Sequence, residues 1–372
     1  MAEPLFDMEA AALAHSISKG PSAAPAPELF QRLSSRDLAA PVGPVAFLVR
    51  KVLAKPTYGM IAGELKTLKS HVALALAMSV ASGQDFLGEF PVRTPHPVLM
   101  YIGEGGKTPF QRRFQHFGQN MGLVLNDLPL EASFDVASID SPRFRQSLAR
   151  DLDDLQPGLV IIDPYYAFHG TNTSAANLHE EGALLAGLSA QCMAAGASLM
   201  IVNHFNQTGS GTGLKRITMS GSGEWVDSWI LLSHQEKPDV TAGKFLLNME
   251  IGSRQWGGAS HTLSWDLGPF NDDTGTCERP WTWSVDDARA SQTSLEQQVV
   301  KILGDEPWIY SATGLADRLG GNDEKGRAVI KKLLQDNRIE QRQVASQEGD
   351  RQVKRARYGL PGAQLAPTAR RG

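Results

Sequence analysis

The chain has 372 residues, 42% hydrophobic and 20% charged, with a formal net charge of −4. That balance suits a soluble globular protein with a sizeable core and excludes low-complexity and fibrous classes. Its two cysteines, Cys192 and Cys277, exclude a disulfide framework, and no histidines stand at zinc-ligand spacing beside them.

Residues 1–40 contain Gly20-Pro-Ser-Ala-Ala-Pro-Ala-Pro27 and are expected to be a flexible segment with little fixed structure before Pro41. The opening Met1-Ala-Glu-Pro is acidic where a signal peptide is basic, and the longest apolar stretch, Val72–Ala81, is too short for a bilayer. The expectation is a cytoplasmic protein with no membrane partner. From Phe47 onward, short apolar segments alternate with helical patterns. Strands are expected at Tyr58–Ala62, Val98–Ile102, Phe134–Val136, Leu159–Ile162, Ser198–Val202, Ser228–Leu232, Phe245–Met249 and His261–Trp265. Helices are expected at Ser70–Ser82, Pro109–Met121, Pro142–Leu155 and Asn177–Ala195. This alternation predicts an α/β domain over residues 41–285, a mainly parallel sheet with helices on both faces. The last strands lack intervening helices and belong antiparallel at one edge.

From about Ser291 the pattern changes. Helices at Ser294–Leu303, Ser311–Leu319 and Asp323–Asp336 precede strands at Ile339–Gln343 and Arg355–Leu360, with a charged turn, Ser346–Val353, between them. Three helices and a hairpin predict a small winged helix-turn-helix domain over 291–360, followed by a disordered tail at 361–372. Residues 321–372 carry twelve Lys or Arg against six Asp or Glu, a balance of +6, which leaves −10 for the rest. A basic module on an acidic body points to DNA, with a solvated basic tail as the plainer alternative.

Four stretches carry chemistry. Between the first long strand and its helix stands Gly63-Glu64-Leu65-Lys66-Thr67-Leu68-Lys69-Ser70-His71. A glycine turn running into a helix start offers unpaired N–H groups that wrap a phosphate chain, so all nine residues are candidate nucleotide contacts. Lys69 is placed to reach the terminal phosphates and the Ser70 hydroxyl to sit on Mg2+, which makes ATP the expected ligand. Leu68 occupies the position where a second glycine is usual. Leu159-Val-Ile-Ile-Asp163 ends a strand in a carboxylate that can hold the magnesium, and Val98-Leu-Met-Tyr-Ile-Gly-Glu104 ends another in a glutamate that can align water. Ser198-Leu-Met-Ile-Val-Asn203-His204 ends a fourth strand in polar groups, with His204 a candidate sensor of the γ-phosphate. The Gly/Ser/Thr-rich stretch 205–223 carries Lys215 and Arg216, candidates for DNA contact.

The segments Gly63-Glu-Leu-Lys-Thr-Leu-Lys-Ser, Tyr101-Ile-Gly-Glu-Gly-Gly, Val160-Ile-Ile-Asp-Pro and Val202-Asn-His, in that order, resemble the RecA-like AAA ATPases related to the RepA hexameric replicative helicases. The resemblance covers about residues 45–270. It implies a RecA-like P-loop core, Mg2+-dependent ATP hydrolysis, and a homo-oligomer, hexameric in the RepA helicases, that acts on DNA. It gives Glu104 the role of activating water, Asp163 that of the magnesium-associated acid, and His204 that of a γ-phosphate sensor. Bulky residues before the loop lysine, with a lysine three positions earlier, recur in that family, as with Leu68 and Lys66 here. The stretch Asn248-Met-Glu-Ile-Gly-Ser-Arg254-Gln-Trp-Gly-Gly is similar to the one that carries an arginine finger into a neighbouring subunit. Arg254 is then the finger and Arg216 its substitute, although related helicases often pair this arginine with a lysine and here Gly252 stands two positions before it.

In the basic module, Lys331, Lys332 and Arg355 are the expected DNA contacts, with Lys325, Arg327, Arg338, Arg342, Arg351, Lys354 and Arg357 nearby. The competing readings are a nucleotide-dependent switch without motor activity and a degenerate loop that holds nucleotide without hydrolysing it.

Overall fold

The computed structural model describes residues 32–169, 178–205, 214, 222–273, 276–277, 279–319, 323–348 and 351–364. Lys215 and Arg216, most of the N-terminal segment and most of the C-terminal tail lie outside these residues. Within the N-terminal segment, helix α1 (Ser35–Leu38) is closed by a capping box in which Ser34 and Asp37 each accept from the other's backbone N–H. That turn of helix corrects the expectation of little fixed structure before Pro41.

The described residues from Val45 onward form one compact unit. A short pair, β1 (Phe47–Val49) and β2 (Leu53–Ala54), leads into β3 (Tyr58–Gly63), helix α2 (Lys69–Ser82), β4 (Val98–Ile102), α3 (Lys107–Met121) and β5 (Leu130–Ser133). Then come α4 (Pro142–Leu155), β6 (Leu159–Asp163), α5 (Leu178–Ala194), β7 (Ser198–His204), the single turn α6 (Ser222–Trp225) and β8 (Ser228–His234). The late strands are β9 (Lys244–Ser253), β10 (Gly257–Asp266), the small pair β11 (Phe270–Asn271) and β12 (Thr276–Cys277), and β13 (Thr282–Asp287).

Nine strands build the central sheet in the order β13-β10-β9-β8-β3-β7-β6-β4-β5. From β8 to β5 every pairing is parallel; β9, β10 and β13 are added antiparallel. This is the expected α/β fold, a mostly parallel sheet flanked by helices, consistent with a RecA-like P-loop core. The connection from β3 to β4 passes over β7 and β6, so the strand order switches beside β3. A ligand crevice opens at such a switch, outside the carboxyl ends of the strands.

Helix α2 is apolar around its circumference, and Val72 to Ala81 are all buried. That pattern requires contact on all sides. The sheet supplies one side through Ile61, Met100 and Ile161; Trp265 and Trp281 belong to the same core cluster. Helix α4 instead shows a single apolar stripe, Phe144, Leu148 and Leu152, and begins at Ser141, whose Oγ accepts from the Phe144 N–H. It packs the opposite face of the sheet, with Leu99, Val160 and Ile201.

Two expectations need correction. The strand expected at Phe134–Val136 lies earlier, at Leu130–Ser133, because those residues pair in parallel with Val98–Tyr101. Phe134 turns its ring onto Phe110 at 5.5 Å. The mixed burial of this edge strand hid it from a search for continuous apolar runs. The charged stretch 346–353 is mostly strand rather than turn. There β14 (Glu340–Glu348) and β15 (Arg351–Gly359) pair throughout, after helices α7 (Ala288–Asp305), α8 (Ala312–Arg318) and α9 (Asp323–Gln335). These helices and the hairpin enclose a small core of their own, including Val299, Leu315, Leu333 and Tyr358.

Trp265 is 1% exposed and meets Phe117 and Trp283 at ring-centroid distances of 5.8 and 5.4 Å. Trp265→Ala should cost about 3–5 kcal/mol, read as a lower urea midpoint with an unchanged m-value. A midpoint equal to the parent's would show that α2 does not depend on this lid.

Candidate functional site

Strand register assembles the site. Gly63 pairs with His204, and Ile102 pairs with Asp163, so β3, β4, β6 and β7 end at one sheet edge. Glu104 follows β4 by a single glycine. Gly105 and Gly106 both have positive φ, 75° and 70°, which lets the chain reverse into α3. Lys66 to His71, Glu104, Asp163 and His204 thus line one cavity of about 390 Å³. A larger groove of about 640 Å³, near Arg50, Trp256 and His261, lies elsewhere and lacks a phosphate loop.

The loop reaches its shape without the usual second glycine. Lys66 and Leu68 both take left-handed backbone conformations, with φ of 61° and 59°. Leu68 is the residue before α2 and provides no side-chain cap, leaving the first N–H groups of the helix without a side-chain partner. Thr67 Oγ1 donates to the Glu64 carbonyl at 2.9 Å, and Lys69 Nζ donates to the Gly63 and Glu64 carbonyls at 3.2 and 2.7 Å. Gly63, Glu64 and Leu65 do not line the cavity; they hold the loop. The Glu64 carboxylate accepts from the His234 N–H at 2.9 Å, and the Leu65 carbonyl meets His234 Nε2 at 3.0 Å.

Ser70 Oγ donates to Asp163 Oδ1 at 3.1 Å. The two groups expected on magnesium are therefore adjacent. Among the described residues no three acidic, histidine or cysteine groups gather to hold a metal by themselves. One hydroxyl and one carboxylate fit Mg2+, which keeps waters and takes phosphate oxygens from its substrate.

The charges here are poorly solvated. Burial pushes the Lys69 ammonium down to about 8, against the opposing pull of Asp163, Glu104 and Glu64. Burial likewise raises the Asp163 carboxyl to about 6, despite the Ser70 hydrogen bond and the nearby Arg113. His71 lines the cavity, but its ring sits against Trp281 at 5.2 Å, and burial with the Arg113 charge lowers it to about 3. It is a neutral group. The His204 ring lies 5.9 Å from that of Tyr166 and is shifted down by burial and by Lys69.

A sequence profile of the AAA domain family matches residues 24–210. The chain belongs to the AAA domain family. It is a nucleotide-hydrolysing P-loop ATPase in its core, and the family's segment contains β3, α2, β4, β6 and β7, the elements that place Lys69, Ser70, Glu104, Asp163 and His204. No curated protein sequence matches the chain.

Arg254 stands apart from the cavity. Its N–H donates to the Asp227 carbonyl at 2.9 Å, at the start of β8, and its guanidinium donates to the Glu224 carbonyl. That is the amino edge of the parallel sheet, about 17 Å along the strands from Gly63. The space beside it explains Gly252: a Cβ there would lie 2.3 Å from the Trp229 ring, so no lysine stem fits at that position. Sequence reasoning missed Arg113 on α3, together with Val240 and Phe245, which line the same cavity. Helical phase after Glu104 was the available signal for Arg113; nothing local marks the other two.

Asp163 holds its proton more tightly folded than unfolded, so its ionisation weakens the nucleotide-free fold as pH rises from about 4 to about 6. Asp163→Asn removes that burden. In Mg2+- and nucleotide-free buffer its melting temperature should exceed the parent's at pH 7, on the order of 2 kcal/mol, and match it near pH 4. A difference that does not vary with pH would refute the assignment.

Proposed function

We propose that this chain is a RecA-like, RepA-like ATPase that acts on DNA as a ring-forming homo-oligomer, in the manner of a replicative helicase or a replication or recombination accessory. The observation that carries the reading is the meeting of Lys69, Ser70, Glu104 and Asp163 at one cavity. The substrate is ATP with Mg2+. Ser70 and Asp163 would hold the ion, which when bound neutralises phosphate charge. Lys69 leaves its two carbonyls to meet the β- and γ-phosphates. Glu104 orients a water whose oxygen bonds to the γ-phosphorus as the bond to the β–γ bridging oxygen breaks. The electron pair stays on ADP, and the water's proton passes toward Glu104.

Arg254 supports assembly, because at the far sheet edge it can reach a triphosphate only in another copy. A finger supplied in this way makes hydrolysis depend on the oligomer. The C-terminal helices and hairpin support a winged-helix reading and DNA contact. Arg342 faces Arg357 across the hairpin, Arg355 faces Val344 two positions on, and all four share one side. The Arg342 guanidinium stacks 4.4 Å over the Trp308 ring. Lys332 is less available than expected, since its ammonium and Arg338 both bind Glu296 at 2.7 Å. Lys331 is exposed and makes no ion pair among the described residues. The alternative, a nucleotide switch without motor activity, keeps the same cavity.

Lys69→Ala should abolish nucleotide binding, whereas Glu104→Gln should bind ATP normally and turn over about 10²–10⁴-fold more slowly. Normal hydrolysis by Glu104→Gln would falsify that glutamate's role. For DNA, Arg355→Ala should weaken binding uniformly across sequences and lower the salt slope by about 1. Unchanged affinity and slope would move the hairpin from DNA to a protein partner, and hydrolysis unaffected by DNA would favour the switch.

A further inference from the structure

Three parts of the site lean on one short piece of chain. After Asp163 and Pro164 comes the 3₁₀ turn Tyr165–Phe168. Gly103, the residue before Glu104, is pressed against it: a Cβ on Gly103 would lie 2.5 Å from Ala167 Cβ and 2.8 Å from the Phe168 ring. The Gly103 N–H also donates to the Asp163 carbonyl at 2.9 Å. On the β7 side, the Tyr166 ring lies 5.9 Å from that of His204. The place of this turn therefore sets where Glu104 stands.

The turn is held at its far end. The Ile139 N–H donates to the Phe168 carbonyl at 2.9 Å, and the next residue is tied to α5. There His169 Nε2 donates to Glu181 Oε2 at 2.8 Å, with the glutamate side chain 0% exposed. The second carboxyl oxygen, Oε1, is buried with no hydrogen-bond partner among the described residues, and so is the Tyr165 hydroxyl. A buried carboxyl left half satisfied is a poor source of stability, since an apolar side chain of the same length avoids the desolvation. Helix α5 already grips this face of the sheet through Leu185 and Leu188. What Glu181 adds is direction: its bond to His169 fixes the end of the turn.

We propose that Glu181 is a positioning residue for ATP hydrolysis, holding the Tyr165–Phe168 turn through His169 and so fixing Gly103 and Glu104. The proposal rests on the hydrolytic reading of Glu104 above and deepens it. Glu181 does not line the phosphate cavity, so its effect falls on turnover and leaves nucleotide binding alone. A displacement of about 1 Å in a group that orients a reactant can slow a reaction by about 100-fold.

The test compares the full chain with Glu181→Met, Glu181→Gln and the double variant His169→Phe/Glu181→Met. The readouts are kcat and KM for Mg-ATP, ATP affinity by calorimetric titration, melting without nucleotide, and hydrogen exchange over residues 103–106. Glu181→Met should lower kcat roughly 10–100-fold, change KM and ATP affinity less than about 3-fold, and speed exchange at Gly103. Glu181→Gln, whose carbonyl still accepts from His169, should recover most of the lost kcat. The double variant removes both polar partners, so its melting temperature should equal or exceed the parent's while kcat stays as low as in Glu181→Met. Parental kcat in the double variant would overturn the proposal. A fall in kcat that comes with lower melting temperatures in both Met variants would overturn it in favour of a structural role. A parent that does not hydrolyse ATP, or a Glu104→Gln variant that does so normally, would end the hydrolytic reading and this proposal with it. If Glu104→Gln is inactive while Glu181→Met turns over like the parent, only the role of Glu181 fails.

Discussion

Charge gathered in a partly dry crevice is the constraint around which this molecule is organised. Lys69, Asp163 and Arg113 stand at the carboxyl ends of parallel strands, where protein displaces water but supplies too few partners. In the absence of nucleotide each charge costs stability, and the apolar layers on the two sheet faces offset that cost. A phosphate chain with its magnesium is the complement that would satisfy all three together. Helix α2 is fixed by burial around its whole circumference, so its amino end cannot drift from Asp163.

The two ends of the sheet divide the work proposed for the chain. The carboxyl edge carries the phosphate loop and both acids, while the amino edge carries Arg254, held by the Asp227 and Glu224 carbonyls. An antiparallel hairpin, β9 turning into β10, is what places an arginine at the amino edge. Trp229 fills the space beside Gly252, which leaves no room for a longer side chain at that position.

The C-terminal helices and hairpin spend part of their positive charge internally. Glu296 draws in Lys332 and Arg338, tying α7 to α9 and to the start of the hairpin. Lys331 on α9 is exposed, and Arg342, Arg355 and Arg357 share one side of β14 and β15. Charge count alone would have spread the expected contact over the whole module.

Much of the core was legible along the chain. The alternation of apolar strands with helices predicts a parallel sheet, and Gly63, Glu104, Asp163 and His204, at or just past the ends of four of those strands, fall at one edge because parallel strands share a direction. The fold of the phosphate loop was legible despite Leu68, since the left-handed turn needs tolerance of positive φ rather than glycine itself. Local sequence could not reveal the edge strand at Leu130–Ser133, whose existence depends on pairing with β4. Nor could it separate Lys331 from Lys332, neighbours of identical charge distinguished only by Glu296 on another helix. That Arg113 forms no ion pair at hydrogen-bond distance among the described residues was equally hidden, because solvation and pairing are set by residues far apart in the chain. Sequence by itself determined the order of elements and the chemistry at their ends; only the tertiary structure decided which charges are paired and which are left to a ligand, since burial belongs to the assembled neighbours and not to any one segment.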